Sequence, residues 1–443
     1  MENIQDFLKS KIDERRIQTN RNEQYKKFGL SSNPFPRSGI SDLNSSDEII
    51  FHLEPVDKIV KDELDRYVID SLFAENMTSP ENKYLSLVIR GDYGYGKTQT
   101  LLYIKTYLES FALLKEFNKK PYVIYIENPG AKLTELIGSI ISQIGDENFK
   151  KYLWNEILEK FKNSTEITTQ ISELIRGGQQ LLIGETNLNP FSAENTINYK
   201  KFLDANYNLV TRSNKKQLQD FIEEKATTVL SEIFENSIIA NYFHDLLLES
   251  AGINKTWESF TTGSVKSFEK KEVYLIKAIL KILDWQGFTD FYILVDEFEA
   301  VAEGRLSKTA LQSYLDNLKA LIAKERNWCS VFSMTNPAFE RIRTIEAPLS
   351  QRISSRIINL KPLNNETAKQ LAINYLNLAR DESESIIPFT DSGIDSLRRI
   401  TKGNHRLFLK SCFTLIQRAV EELESDKQID KDFVEKYIEE EFE

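Results

Sequence analysis

The octapeptide Gly91-Asp92-Tyr93-Gly94-Tyr95-Gly96-Lys97-Thr98 is the feature that most limits how this chain can fold. It fits the pattern G-x-x-x-x-G-K-[ST] in full. Its glycines allow backbone turns that other residues resist, so successive N–H groups can point inward at an anion. An apolar run, Leu85 to Ile89, leads into it as a buried-type strand, and Leu101, Leu102, Ile104 and Leu108 give a helix behind it. Strand, loop and helix in this order aim the positive end of the helix dipole at the same point. The expected phosphate cradle is Gly91 to Thr98 with Gln99. Within it Lys97 reaches the β- and γ-phosphates and the Thr98 hydroxyl ligates Mg²⁺. Tyr93 and Tyr95 read as covering the loop.

The flanking pattern predicts an α/β fold. A second buried-type strand, Tyr122 to Ile126, is followed by a helix over 133–144. Alternation stops at about 147 and returns near 271. A third strand covers Phe291 to Val295, a helix 307–325, a fourth strand Cys329 to Met334, and a short fifth Ile357 to Leu360. Strands alternating with helices imply a parallel sheet covered on both faces. The stretch between carries helical patterns with Trp154, Phe161, Phe202, Phe221, Phe234, Tyr242, Phe243 and Trp257, and reads as an inserted helical subdomain. Everything after Pro362 reads helical. The expected divisions are 1–36, a leader ending in Asn33-Pro34-Phe35-Pro36; 37–146, the first part of the core; 147–270, the insertion; 271–362, the second part of the core; and 363–443, a helical lid with an acidic end.

The third strand ends in Asp296-Glu297. Carboxylates at the end of a buried strand need compensation, and a Mg²⁺ held with ATP supplies it. Asp296 is expected to hold the metal directly or through water, and Glu297 to orient and deprotonate the attacking water. Glu299 reads as structural or solvated.

Three further signals follow in order. The fourth strand runs into Thr335-Asn336, a polar position able to sense the γ-phosphate. Leu349-Ser350-Gln351-Arg352-Ile353-Ser354-Ser355-Arg356 places arginines just before the fifth strand. In Gly403-Asn404-His405-Arg406 the glycine reads as a helix stop, Asn404 as the next N-cap and Arg406 as a first-turn cation. With the phosphate loop and the Asp-Glu pair, this order resembles the AAA+ P-loop ATPases. The resemblance implies sensor one at Asn336, with Thr335 beside it; an arginine finger at Arg356, with Arg352 as the fallback; and sensor two at Arg406. Ser-Ser-Arg-Ile and Gly-Asn-His-Arg look like the initiator and origin-recognition branch, and the loop with Val-Asp-Glu-Phe-Glu looks like ATP-binding proteins of BREX-type bacterial defence loci. The implied cofactors are ATP and Mg²⁺, and the implied catalytic set is Lys97, Glu297, Asn336 and Arg356. A finger supplied in trans implies a homo-oligomer.

The chain departs from that pattern in two places. Lys97 and Asp296 stand 199 positions apart, which fits a helical insertion. Fewer than forty residues, acidic overall, follow Arg406, where initiators normally carry a DNA-reading module.

Charge and composition narrow the function. Lys plus Arg is 57 against 67 for Asp plus Glu, a formal charge of −10, which excludes a generally basic nucleic-acid coat. DNA contact would need local patches such as Arg15-Arg16, Lys26-Lys27, Lys200-Lys201 or Lys215-Lys216. Two cysteines, Cys329 and Cys412, and three dispersed histidines, His52, His244 and His405, speak against a disulfide framework or a zinc enzyme. With neither a signal peptide nor a membrane span, the expected location is the cytoplasm. Lys97-Thr98 disfavours a dinucleotide-binding Rossmann domain. Arg176-Gly177-Gly178-Gln179-Gln180 stands too far before Asp296 to act as an ABC-type signature. The leading expectation is an ATPase that drives or switches a DNA-linked prokaryotic process. The alternative is a slow nucleotide-gated scaffold whose insertion recruits an effector protein such as a nuclease.

Overall fold

The computed structural model describes residues 24–39, 54–73, 85–177, 190–210, 214–248, 252–262, 271–303, 306–324, 328–381, 383–424 and 426–442. Arg15-Arg16, His52 and Gly178 lie outside them. The expected parallel sheet is present. Strands β1 (Ser86–Arg90), β2 (Pro121–Ile126), β3 (Asp290–Val295), β4 (Cys329–Met334) and β5 (Arg356–Asn359) lie in the order β2-β3-β4-β1-β5. Every neighbouring pair is parallel.

Alternation along the strands sorts side chains between two faces. Leu87 and Ile89 of β1, Tyr292 and Leu294 of β3, and Val331 of β4 face α1 (Lys58–Leu72) and α2 (Lys97–Phe111). Asp57 caps α1 by accepting from Ile59 and Val60 N–H. Val88, Ile293, Val295, Phe332 and Met334 face the other way. They meet α3 (Leu133–Ile144), whose bounds are those read from the sequence.

From α3 the chain runs through α4 (Asp146–Asn163), α5 (Thr165–Gly177), α6 (Tyr199–Asn208), α7 (Lys215–Phe234), α8 (Ser237–Leu248) and α9 (Ile253–Thr262). It then returns by α10 (Lys271–Trp285) to β3. The turn α11 (Glu299–Ala302) and helices α12 (Lys308–Lys324), α13 (Asn336–Ile345) and α14 (Ala347–Ile353) follow around the remaining strands. The apolar core of α4 to α9 is continuous with the sheet face on α3 and α10. The aromatics singled out from the sequence of this stretch are spent inside it. Trp154, Phe161, Phe202, Tyr242, Phe243 and Trp257 are buried, and Phe221 and Phe234 partly so. Trp154 Nε1 donates to the Thr196 carbonyl at 2.8 Å. These rings therefore form no exposed docking surface.

The last helices, α15 (Asn365–Leu376), α16 (Asp391–Ile400), α17 (His405–Glu422) and α18 (Lys431–Phe442), enclose a core of their own. Tyr25, Phe28, Leu30 and Phe35 from the N-terminal segment complete it. The Asn-Pro-Phe-Pro break thus serves as an anchor as well as a boundary. The Phe35 ring stacks on Tyr375 at 5.7 Å and meets Phe389 edge-on at 6.1 Å. Lys27 Nζ caps the end of α17, donating to the Val420 and Leu423 carbonyls at 2.9 and 2.6 Å, so this lysine is a helix cap and not part of a free basic patch.

No helix among the described residues is long and apolar enough to cross a membrane. Replacing Phe35 by Ala should cost the lid about 3–5 kcal/mol, read as a lower denaturant midpoint. An unchanged midpoint would show that the segment adds nothing to the lid core.

Candidate functional site

The strand register brings the candidate residues to one edge. Arg90 lies level with Met334 and Asn359, and Val295 level with Ile126 and Phe332. Hence the loop after β1, the Asp-Glu pair after β3 and the turn after β4 all leave from the carboxyl end of the sheet.

The loop itself has the backbone its glycines permit. Gly94 has φ +80° and Gly96 φ +87°, left-handed values that an L side chain adopts only under strain. Gly96 stands at the N-terminus of α2, whose first residues are Lys97 and Thr98. Lys97 is buried. It donates to the Gly91 carbonyl at 3.1 Å and lies 3.5 Å from Glu299 Oε1. Tyr93, largely exposed, lies with its ring 5.1 Å from Lys97 Nζ and donates its hydroxyl to Glu303 at 3.2 Å. Tyr95 stacks on His405 at 6.1 Å. Asp92 is exposed, Gly91 is buried, and Thr98 and Gln99 are half-buried.

Asp296 is buried, and its carboxylate accepts from three elements besides its own. Thr98 Oγ1 donates to Oδ2 at 2.6 Å and Tyr125 Oη to the same oxygen at 2.9 Å. Ser333 Oγ and the Glu297 N–H donate to Oδ1. A buried carboxylate is tolerated when its lone pairs are met in this way. The mutual contact and desolvation push the Tyr125 phenol far up, burial first and the Asp296 charge second.

Glu297 is exposed and takes φ +47°, an uncommon value for a residue with a side chain. Three bonds hold the turn there: Asp296 N–H to the Ile126 carbonyl at 2.7 Å, Glu297 N–H to Asp296 Oδ1 at 2.9 Å, and Phe298 N–H to the Ser333 carbonyl at 3.0 Å. Strain kept by surrounding bonds is a mark of functional turns. Glu299, read from sequence as structural or solvated, is buried against Lys97, and burial raises its carboxyl pKa against the pull of that lysine.

The polar group beside Asp296 on β4 is Ser333, one step beyond the Val295–Phe332 pair. Asn336 stands three residues further, exposed in the first turn of α13, while the Thr335 hydroxyl is buried, donates to Glu303 and caps that helix. Ser333 and Tyr125 are residues that sequence reasoning missed. Each lies in an apolar run where only the strand order reveals its partner.

Gly403 has φ +70° and Asn404 caps α17 through Leu407 N–H at 3.1 Å, as the sequence suggested. This cap also grips the phosphate loop. Asn404 Nδ2 donates to the Tyr93 carbonyl at 2.7 Å, and Arg406 N–H to the Gly94 carbonyl at 3.0 Å. A Cβ on Gly94 would stand 2.5 Å from Asn404 Oδ1. The Arg406 side chain is exposed. Arg356 lies at the opposite edge of the sheet, level with Leu87, and pairs with Asp70 of α1. Arg352 is exposed and donates to the Lys319 carbonyl at 3.3 Å.

The chemistry of this donor set fits the expected ligands. A glycine-rich turn, a helix N-terminus and an ammonium suit phosphate. Two adjacent hard oxygens, Thr98 Oγ1 and Asp296 Oδ2, suit Mg²⁺.

No protein-family model matches the chain, and no curated protein does. Solved structures similar to it include the Aeropyrum pernix ORC1 protein in complex with DNA, with 10% identity over 88% of this chain and 66% of that one and a TM-score of 0.40. The Aeropyrum pernix ORC2 protein in ADPNP and ADP complexes shows 11% identity over 89% and 72%, with a TM-score of 0.38. The Cdc6 protein of Pyrobaculum aerophilum shows 10% identity over 89% and 71%, with a TM-score of 0.38. The chain spans just under two thirds of the first of these.

Removing one donor from a charged acceptor costs about 1.5–3 kcal/mol. Tyr125→Phe should therefore lower unfolding free energy by that amount, measured in denaturant. No change would show that the phenol does not support Asp296.

Proposed function

We propose that this chain binds Mg-ATP at the carboxyl edge of its sheet and hydrolyses it, as a motor or switch in a DNA-linked prokaryotic process of the phage-defence, transposition or replication type. The observation that carries the reading is the meeting of Thr98 Oγ1 with Asp296 Oδ2 at 2.6 Å, two groups 198 positions apart in sequence. Chance does not bring a complete phosphate loop and a buried acidic strand end into hydrogen-bond contact.

The roles follow from the residues. The amides of Gly91 to Thr98 and Lys97 hold phosphate oxygens. Thr98 and Asp296 would hold Mg²⁺, which would supply charge neutralisation for the phosphate group. Glu297, exposed and fixed by its strained turn, orients water and takes its proton. Ser333 and Tyr125 keep Asp296 aimed. Arg406, whose backbone is tied to Gly94, stands by the loop as a sensor of bound phosphate. Arg356, paired with Asp70 at the far end of β1 from its own loop, acts on a neighbouring subunit of a homo-oligomer. The Ser-Ser-Arg-Ile and Gly-Asn-His-Arg strings are the basis for the DNA link, and the cytoplasm is the proposed location.

Three variants test this. Lys97→Ala should abolish nucleotide binding in an equilibrium binding assay. Tight ATP binding by that variant would remove the phosphate-loop assignment. Glu297→Gln should bind ATP normally yet lower turnover about 10²–10⁴-fold, and unchanged phosphate release would exclude Glu297 as the base. Arg356→Ala should lower turnover and recover it when mixed with Lys97→Ala subunits. A mixture no faster than its parts would exclude a finger in trans.

A further inference from the structure

The turn α11 and the residue that caps its end direct two carboxylates, Glu299 and Glu303, at the phosphate loop. Glu299 Oε1 lies 3.5 Å from Lys97 Nζ, and both side chains are 8% exposed. Glu299 Oε2 is buried with no hydrogen-bond partner among the described residues. Glu303 accepts from Tyr93 at 3.2 Å and from the Thr335 hydroxyl, which ties the same turn to the loop and to the end of β4.

The ammonium that the loop offers to a phosphate is thus already held by a carboxylate of the same chain. A buried carboxylate with one oxygen unmet is costly, and Lys97 is the charge that offsets it. A phosphate group that takes Lys97 withdraws that offset and brings like charge beside Glu299. Binding energy is then spent on breaking the pair.

We propose that Glu299 is an internal competitor for the phosphate site. It holds Lys97 back in the nucleotide-free chain, releases it to an incoming nucleoside di- or triphosphate, and thereby keeps affinity low and release fast. The proposal rests on reading the loop as a nucleotide site, and deepens it by naming the residue that regulates exchange. Glu299 acts through Lys97 and is a positioning residue, not a catalytic one.

The test uses the full chain and the fluorescent nucleotide mant-ADP, with stopped-flow binding and thermal unfolding of each variant. Glu299→Gln keeps the shape and removes the charge. It should tighten mant-ADP about tenfold, through slower dissociation, without a lower unfolding temperature. Glu299→Asp keeps the charge but retracts it by one methylene, and should tighten binding to a value between wild type and Glu299→Gln. If the Gln variant does not fold, the Asp variant decides on the same criterion. A residue that merely supports the loop would weaken binding when altered. Equal or weaker binding by the variants, with wild type binding intact, overturns the competitor. Failure of wild type to bind mant-ADP overturns the nucleotide reading and the proposal with it.

Discussion

The Asp296 carboxylate is the interaction on which the site depends. It is buried at the end of β3, and donors from α2, β2 and β4 converge on it. A charge in that position is stable only while those donors are in place. The strand order, the seating of α2 and the register of β4 against β3 are therefore constrained by one side chain. The same convergence brings Thr98 beside Asp296 and holds Glu297 in its strained turn, so the sheet core and the candidate site share one set of hydrogen bonds.

A second constraint joins the lid to the phosphate loop. Asn404 caps α17 and at the same time bonds the Tyr93 carbonyl, while Arg406 N–H bonds the Gly94 carbonyl. Gly39 passes so close to the Arg406 carbonyl that a Cβ there would collide with it. The N-terminal segment, the lid and the loop are thus in direct contact at one place. A displacement of this loop would strain the bonds to the helix that grips it. The link from loop to last helices is one side-chain and one backbone hydrogen bond, both onto loop carbonyls.

The helical stretch between β2 and β3 shares its apolar core with one sheet face. Its aromatics stabilise that shared core, and its ends return the chain to β3 in register with β2. Its length leaves the Asp-Glu strand in place because the sheet fixes where β3 must lie, whatever is inserted before it.

By itself the sequence determined the element types and their order along the chain. The turn at Gly91 to Thr98 could be read because its glycines stand at fixed spacing between an apolar strand and a helix, and the helix after β2 because its apolar period is unbroken from Leu133 to Ile144. The strand ends at Asp296 and Met334 were legible for the same reason: burial writes apolar runs, and polar residues end them. Only the tertiary structure decided which polar groups meet. Ser333 and Tyr125 sit in apolar runs, and nothing local marks them; the order β2-β3-β4-β1-β5 puts both beside Asp296. Glu299 looked like one acid among several until the turn after β3 buried it against Lys97. Asn-Pro-Phe-Pro looked like a break until Phe35 entered a core built more than 300 residues later. Pairings of that span depend on strand order and packing, which no local pattern encodes.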